Sequence, residues 1–410
     1  MIAAGWDAGL PPGPVGVAVS GGGDSVALLL LLQETGARPL AAVTVDHRLR
    51  PEAAAEAEAV AALCAARGIP HDTLAWDEPA RPGNLQDRAR EARLRLVAAW
   101  ALGRGIGAVA LGHTLDDQAE TFLLRLARGS GVDGLSGMAP VRQAEGLAWI
   151  RPLLGVRRAA LRDWLAARGV GWAEDPGNAD PRFERVRARA ALPLLAPLGL
   201  GPERLAATAA AMARARAALE AATAGLAARA LVAGPAGDLT LHPAALAGEP
   251  EEIRLRLLAG ALTWVSGARY RPRLARLEAA LGAIASGRVG HGLTLHGCVL
   301  RTRAGRVTIR REPARVAPPS PLAVGRWDGR WQLEGAAPAG EALAIGALGS
   351  AGLAALGECP PGLAREALLT TPAVWRGPTL VAAPVARPEP GYVFRRVSAV
   401  PPPWSPDFVR

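Results

Sequence analysis

A chain of 410 residues, half of them apolar, is long enough for two or three domains with real cores. It carries no lysine: all 47 basic residues are arginine, set against 37 acids for a net charge of +10. Its three cysteines, Cys64, Cys298 and Cys359, form no C-x-x-C pair, which excludes a disulfide framework and fits a reducing cytoplasm. The apolar run 26–32 is too short to span a bilayer, and Asp7 with no basic segment before it argues against a signal peptide.

In chain order the pattern alternates strand and helix. Residues 15–19 are apolar and β-branched and predict a strand, followed by Ser20-Gly21-Gly22-Gly23-Asp24-Ser25 and then by an apolar run that opens a buried helix to about Thr35. Strand, glycine turn and helix N-terminus together present backbone N–H groups and a positive dipole end to phosphate. Glycines let the backbone come close to the anion, since no Cβ stands in the way. Ser20 and Ser25 bring hydroxyl donors, and Asp24 a carboxylate able to hold a divalent cation against phosphate oxygens. The stretch has neither the G-x-x-x-x-G-K-[ST] nor the G-x-G-x-x-G spacing.

Residues 40–45 read as a second strand, 52–67 as a helix with Val60, Leu63 and Cys64 on one face, and 71–76 as a third strand. A loop over 79–83 leads to Asn84, which caps a helix over 85–102; a fourth strand over 108–111 and a helix over 115–127 follow. This alternation predicts an α/β fold, a Rossmann-like parallel sheet with helices on both faces and ligand sites at the strand C-termini. Asp46-His47-Arg48-Leu49-Arg50 follows the second strand, and the run from Gly112 to Thr121 follows the fourth. Asp117 and Glu120, three apart on a helix, share a face and suit a cationic amine or a magnesium ion. Asp116 reads as a residue that favours the helix N-terminus electrostatically. His113 has no second His or Cys at ligand spacing, so zinc is not indicated. Arg90-Glu91-Ala92-Arg93 reads as an exposed, salt-bridged helix face.

Charge is uneven. Residues 1–200 carry 22 Arg and 22 acids, a net of zero, whereas 253–315 carry 13 Arg and only Glu278 and Glu312, a net of +11. A neutral half joined to a basic half predicts that the second part holds a polyanion. Residues 193–202 read as a linker, 202–230, 251–265 and 274–284 as helices, and 293–311 as a β-hairpin turning at Ala304-Gly305 and decorated by Arg301, Arg303, Arg306, Arg310 and Arg311. Strand fragments are expected around 327–333 and 380–383.

The blocks 20–25, 46–50, 84–93, 112–121, 125–131, 151–154 and 174–189 come in the order of the tRNA(Ile)-lysidine synthetase family, within the PP-loop ATP pyrophosphatases, and this part of the chain resembles that family over about residues 13–195. Thr114, Leu94 and Val186 depart from it, standing where His, an aromatic residue and Asn are usual. The resemblance implies that ATP activates the wobble cytidine of an isoleucine tRNA with a CAU anticodon, and that free lysine attacks to give lysidine, AMP and pyrophosphate. It implies ATP and Mg²⁺ at Ser20–Ser25 (Mg²⁺ at Asp24), lysine at Asp117 and Glu120, a proton acceptor in Asp117 or His113, and tRNA at Arg185 and Arg189. Arg301, Arg303 and Arg310 join the tRNA surface on charge. The expected division is a catalytic domain over 1–195, a helical tRNA-binding or linker region over 196–290 and a smaller α+β region over 291–410 that docks tRNA. A PP-loop tRNA thiolase and a non-catalytic RNA-binding relic of the fold are the alternatives.

Overall fold

The computed structural model describes residues 1–2, 5–48, 52–76, 85–174, 180–268, 270–290, 292–322, 326–334 and 342–397, with side chains of 85–91 excluded. Asn84 and residues 49–50, 79–83 and 175–178, on which parts of the sequence reading fell, lie outside them. The chain forms two compact units, Met1–Arg216 and Ala217–Arg410.

The first unit is built on a six-stranded sheet. Its strands are β1 (Val15–Ala18), β2 (Leu40–Asp46), β3 (His71–Ala75), β4 (Ala108–Leu111), β5 (Val141–Ala144) and β6 (Leu147–Ile150), in the order β3-β2-β1-β4-β6-β5. All pairs are parallel except β5 with β6, an antiparallel edge hairpin that the sequence reading did not anticipate. The helices are α1 (Gly23–Thr35), α2 (Glu52–Ala66), α3 (Leu85–Gly103), α4 (Leu115–Ala127), α5 (Val132–Leu135), α6 (Arg158–Ala166) and α7 (Glu184–Leu195). Every residue of α1 from Val26 to Leu32 is buried, packed with Val15, Val17, Ala110 and Ile150 of the sheet and Leu161 and Leu165 of α6. A helix apolar on all sides is stable only when covered on all sides. Val97, Ala98 and Ala101 of α3 pack on the other side with Ala41, Val43 and Val109.

The chain builds β1, β2 and β3 outward on one side and then returns to place β4 on the other side of β1. The turns after β1 and β4 therefore diverge and open a crevice at their carboxyl ends. Pro193 lies inside α7, so the linker expected over 193–202 begins only after Leu195.

The second unit takes up the long helix α8 (Pro202–Ala230) from Ala217 onward. A five-stranded sheet follows, with β7 (Leu231–Ala233), β8 (Leu239–Leu241), β9 (Leu293–Leu295), β10 (Cys298–Arg303) and β11 (Arg306–Arg311) in the order β7-β8-β11-β10-β9. Leu300, Val307 and Ile309 share one buried core with α9 (Glu251–Ser266) and α10 (Leu274–Ala285). The helices and the hairpin are thus one packing unit, with no break at residue 290. Beyond it, β12 (Ser320–Pro321), β13 (Arg326–Trp327), β14 (Trp331–Glu334), β15 (Ala344–Ala347), β16 (Pro372–Arg376), β17 (Thr379–Ala382) and β18 (Val393–Arg396) form two small sheets, β12-β15-β16-β17 and β13-β14-β18, with the helices α11 (Gly349–Leu356) and α12 (Arg365–Leu368) between β15 and β16 in the chain. Asp328 ties them to the hairpin: its Oδ2 accepts from Arg330 Nε at 2.6 Å, and its Oδ1 from Arg311 Nη2 at 2.9 Å.

Candidate active site

Two helix N-termini face the crevice, and they are finished differently. Helix α1 begins directly after β1, with Gly22 at its N-cap and no side chain capping its first turn. Its leading amides and dipole end are therefore available to an anion. Gly21 has φ +84°, a left-handed conformation that favours glycine. Ser25 holds the turn shut: its Oγ donates to the Gly22 carbonyl at 2.8 Å and accepts from the Ser20 amide at 3.1 Å. The Ser25 hydroxyl, read from the sequence as a phosphate donor, is occupied within the loop, whereas Ser20 is exposed. Trp172 covers the flank of the loop, where a Cβ on Gly23 would meet its Cδ1 at 3.3 Å, and Gly22 pairs with Ala173 as an isolated parallel bridge.

Helix α4, after β4, closes its own N-terminus with a capping box. Asp117 Oδ2 accepts from the Thr114 amide and hydroxyl at 2.8 Å each, and the Asp117 amide returns a bond to Thr114 Oγ1. That box fixes Asp117 in the crevice, and Glu120 lies one turn further along α4, fully buried. Gly112 brings the two turns together, because a Cβ there would stand 3.0 Å from Ser25 Cα and 3.1 Å from the Asp24 carbonyl. We expect Gly112→Ala to push the phosphate turn out of place. It should destabilise the protein by about 1–3 kcal/mol, read as a lower unfolding midpoint, and slow any chemistry at α1.

The residue that joins these turns was not singled out in the sequence. Arg158, the first residue of α6, spreads its guanidinium over three carboxylates: Nε to Asp24 Oδ2 at 2.9 Å, Nη2 to Asp117 Oδ1 at 3.1 Å and Nη1 to Glu120 Oε1 at 3.3 Å. Its backbone amide donates to Asp116 Oδ2 at 2.7 Å, and Arg157 Nε reaches both Asp116 oxygens at 3.2 Å. Asp116, read from the sequence as a residue that merely favours a helix N-terminus, is instead the clamp between α4 and α6. Arg185 and Arg189 of α7 also turn inward, Nη1 lying 3.5 Å from Asp117 Oδ1 and Nε 2.9 Å from Glu120 Oε1. Among the described residues of this crevice, two buried carboxylate oxygens have no hydrogen-bond partner, Asp24 Oδ1 and Glu120 Oε2.

The electrostatics follow from these contacts. Burial pushes the Asp24 carboxyl up, and Arg158 only partly offsets it. Burial acts the same way on Asp117, but Arg158, the Thr114 donors and Arg185 together hold that carboxyl below its usual range. Arg158, though desolvated, is held charged by Asp117, Asp24 and Glu120. His113 sits in the turn between β4 and α4. After β2, His47 Nε2 accepts from Arg93 Nη2 at 2.9 Å; burial, with Arg93 adding to it, lowers the imidazole to about 4. Arg93, expected on a solvated helix face, points at this turn.

In the second unit, strand register puts Arg301, Arg303, Arg306 and Arg310 on the sheet face opposite the core. Arg301, Arg303 and Arg306 are exposed; Arg310 is 14% exposed and lies 3.4 Å from Glu366. What sequence reasoning missed, above all Arg157 and Arg158, had a faint signal in their place just after Arg151-Pro152-Leu153-Leu154. In a chain whose 47 basic residues are all arginine, two more carry little weight.

Comparison with known proteins agrees with this architecture. A family described as "PP-loop domain" matches residues 10–195. The chain is 46% identical over 383 residues to the tRNA(Ile)-lysidine synthase of Ruegeria pomeroyi, covering 92% of this chain and 89% of that protein. It is 46% identical over 317 residues to that of Methylobacterium sp. (strain 4-46), covering 75% and 92%. The corresponding protein of Mesorhizobium japonicum is 42% identical over 374 residues, covering 87% and 80%.

Proposed function

Since the chain belongs to the tRNA(Ile)-lysidine synthase family, we propose that it ligates free lysine to the wobble cytidine of the isoleucine tRNA with a CAU anticodon, converting ATP to AMP and pyrophosphate. The observation that carries this reading is the pairing, in one crevice, of an uncapped helix N-terminus with the Asp24, Asp117 and Glu120 carboxylates. The first binds phosphate and the second recognises an amine.

The chemistry asks for two steps. ATP activates the cytosine carbonyl oxygen as an adenylate and pyrophosphate leaves; the lysine side-chain amine then attacks that carbon and AMP departs. The leading amides of α1 stabilise the pyrophosphate as charge develops on it. Mg²⁺ fits Asp24, because one buried carboxylate oxygen without a partner plus nucleotide phosphates is the usual donor set for that ion. Bound there, it would neutralise phosphate charge. The ammonium of lysine fits Glu120 Oε2, which is buried and has no hydrogen-bond partner among the described residues. Of the two groups considered for taking its proton, Asp117 is the poorer base because its carboxyl is held low, which leaves the role to His113 in the turn between β4 and α4. The cytidine must leave the anticodon stack to reach the crevice. Residues 1–195 carry this chemistry and the remainder docks tRNA.

The thiolase alternative asks for a reactive thiol. Burial instead pushes Cys64 up to about 11 and Cys298 up to about 12. Mass spectrometry of the CAU-anticodon tRNA after incubation with ATP and lysine tests the proposal: a cytidine heavier by lysine less one water is expected, and an unmodified nucleoside overturns it.

Docking rests on the arginine face of β10 and β11. Substituting Arg301, Arg303 and Arg306 together by Gln should weaken tRNA binding and flatten its dependence on salt, by a slope of about 0.7–0.9 per lost phosphate contact. Wild-type affinity and salt slope in the triple variant would move the docking face elsewhere, beginning with Arg185 and Arg189.

A further inference from the structure

We propose that Arg158 is a positioning residue: by giving one guanidinium nitrogen to each of Asp24, Asp117 and Glu120, it couples the phosphate end of the crevice to the amine end. The inference rests on the lysine-ligating reading above and adds to it a residue that ties the two steps together. Asp24 belongs to α1, while Asp117 and Glu120 belong to α4, and three neighbouring carboxylates repel one another. A planar fork offers three nitrogens set apart in fixed directions, so it reaches acceptors on two helices at their own spacing; an ammonium has three donors but all on one atom, so the three carboxylates would have to converge on that point. The fork is itself anchored. The Arg158 amide is bound to Asp116 at 2.7 Å, Arg157 grips the same carboxylate, and the Arg158 side chain is 17% exposed. A cation arriving at Asp24 or an amine arriving at Glu120 therefore perturbs the same guanidinium, and each ligand alters the affinity of the other through it.

The test compares full-length wild type with Arg158→Lys and Arg158→Gln. Pyrophosphate release from ATP and tRNA without lysine reads the first step, and lysine incorporation across a lysine titration reads the second. Both variants should lose about 10-fold or more in the first and show a lysine KM raised by a similar factor. The acid limb of the pH–rate profile should stay in place in Arg158→Lys, which keeps the charge. It should move to higher pH in Arg158→Gln, where burial of Asp117 is no longer opposed by that charge. Calorimetric lysine titrations with and without a non-hydrolysable ATP analogue read the coupling without turnover. It should be about 5-fold or more in wild type and lost in Arg158→Lys. Wild-type kinetics in Arg158→Lys, or a loss confined to one step in both variants, overturns the proposal, and so does the absence of coupling in wild type. If wild type shows the coupling but forms no lysidine, the reaction assignment falls and the role of Arg158 stands.

Discussion

Asp24→Ala is expected to cut pyrophosphate release from ATP and tRNA by about 100-fold or more, while the protein remains folded. The loss follows from position: Asp24 lies in the first turn of the uncapped helix α1, with Oδ1 buried and without a hydrogen-bond partner among the described residues. The fold is expected to survive because α1 is held by its apolar run from Val26 to Leu32, not by this carboxylate. The sign of the stability change can be worked out. Burial raises the folded carboxyl above its unfolded value of about 3.9, so the folded state binds the proton more tightly. Stability attributable to this group therefore falls as pH rises from the unfolded towards the folded value, and at neutral pH the charged form is a burden. Alanine removes that burden, and Arg158 keeps Asp117 and Glu120 as partners. An unfolding midpoint equal to or slightly above wild type at pH 7, with pyrophosphate release lost, is the expected pair of results. Unchanged release would show that phosphate is handled elsewhere.

Glu120→Gln is expected to raise the lysine concentration needed for half-saturation by about 30-fold or more, with a smaller effect on adenylation. Removing one charged partner of a desolvated ammonium typically costs ~2–5 kcal/mol. Glu120 is fully buried, and its Oε2 has no partner among the described residues, so it retains an acceptor for a ligand. Asp117 differs. Its Oδ2 takes both Thr114 donors, and its Oδ1 takes Arg158 and Arg185. Asp117→Asn should therefore be read first as a loss of stability, of about 3–5 kcal/mol at pH 7, because a buried ion pair is broken. Here the folded carboxyl lies below its unfolded value, so the stabilisation is present above about 3.9 and disappears as pH falls through the folded value. Unfolding midpoints of wild type and Asp117→Asn should converge in that acid range. Lysine saturation unaltered in Glu120→Gln would place the amine outside this crevice.

Much of the scaffold was legible without coordinates. The apolar runs of β1, β2 and β4 and the apolar stretch 26–32 of α1 announce a sheet buried on both faces, since such segments are stable nowhere else. The runs 20–25 and 112–121 were placed at strand C-termini, where ligands bind in such sheets, but only the strand order, with β4 beside β1, brings the two turns to one crevice. The hairpin turning at Ala304-Gly305 was equally plain, with alternation on each arm and a Gly at its turn, but its expected first arm is split at His296-Gly297 into β9 and β10, which pair antiparallel. Strand β6 and the edge strand β5 were not seen. The exposed Val-Arg-Gln-Ala of β5 has no alternation, and it becomes a strand only by pairing with β6.

By itself, then, the chain determined the local structure and the inventory of reactive groups: an uncapped glycine turn, carboxylates three apart on a helix, and a basic second half. Those properties depend on neighbours within about a dozen residues, where backbone preference and hydrophobic period act. Which arginines matter was decided only by tertiary structure. Arg158 is 134 residues from Asp24 along the chain and 2.9 Å from it in space, whereas Arg310, which looked like a phosphate contact, lies beside Glu366. Composition cannot separate 47 arginines, because each has the same charge and reach. Only the folded positions of the acids, which fix burial and distance, determine which of them become part of the site.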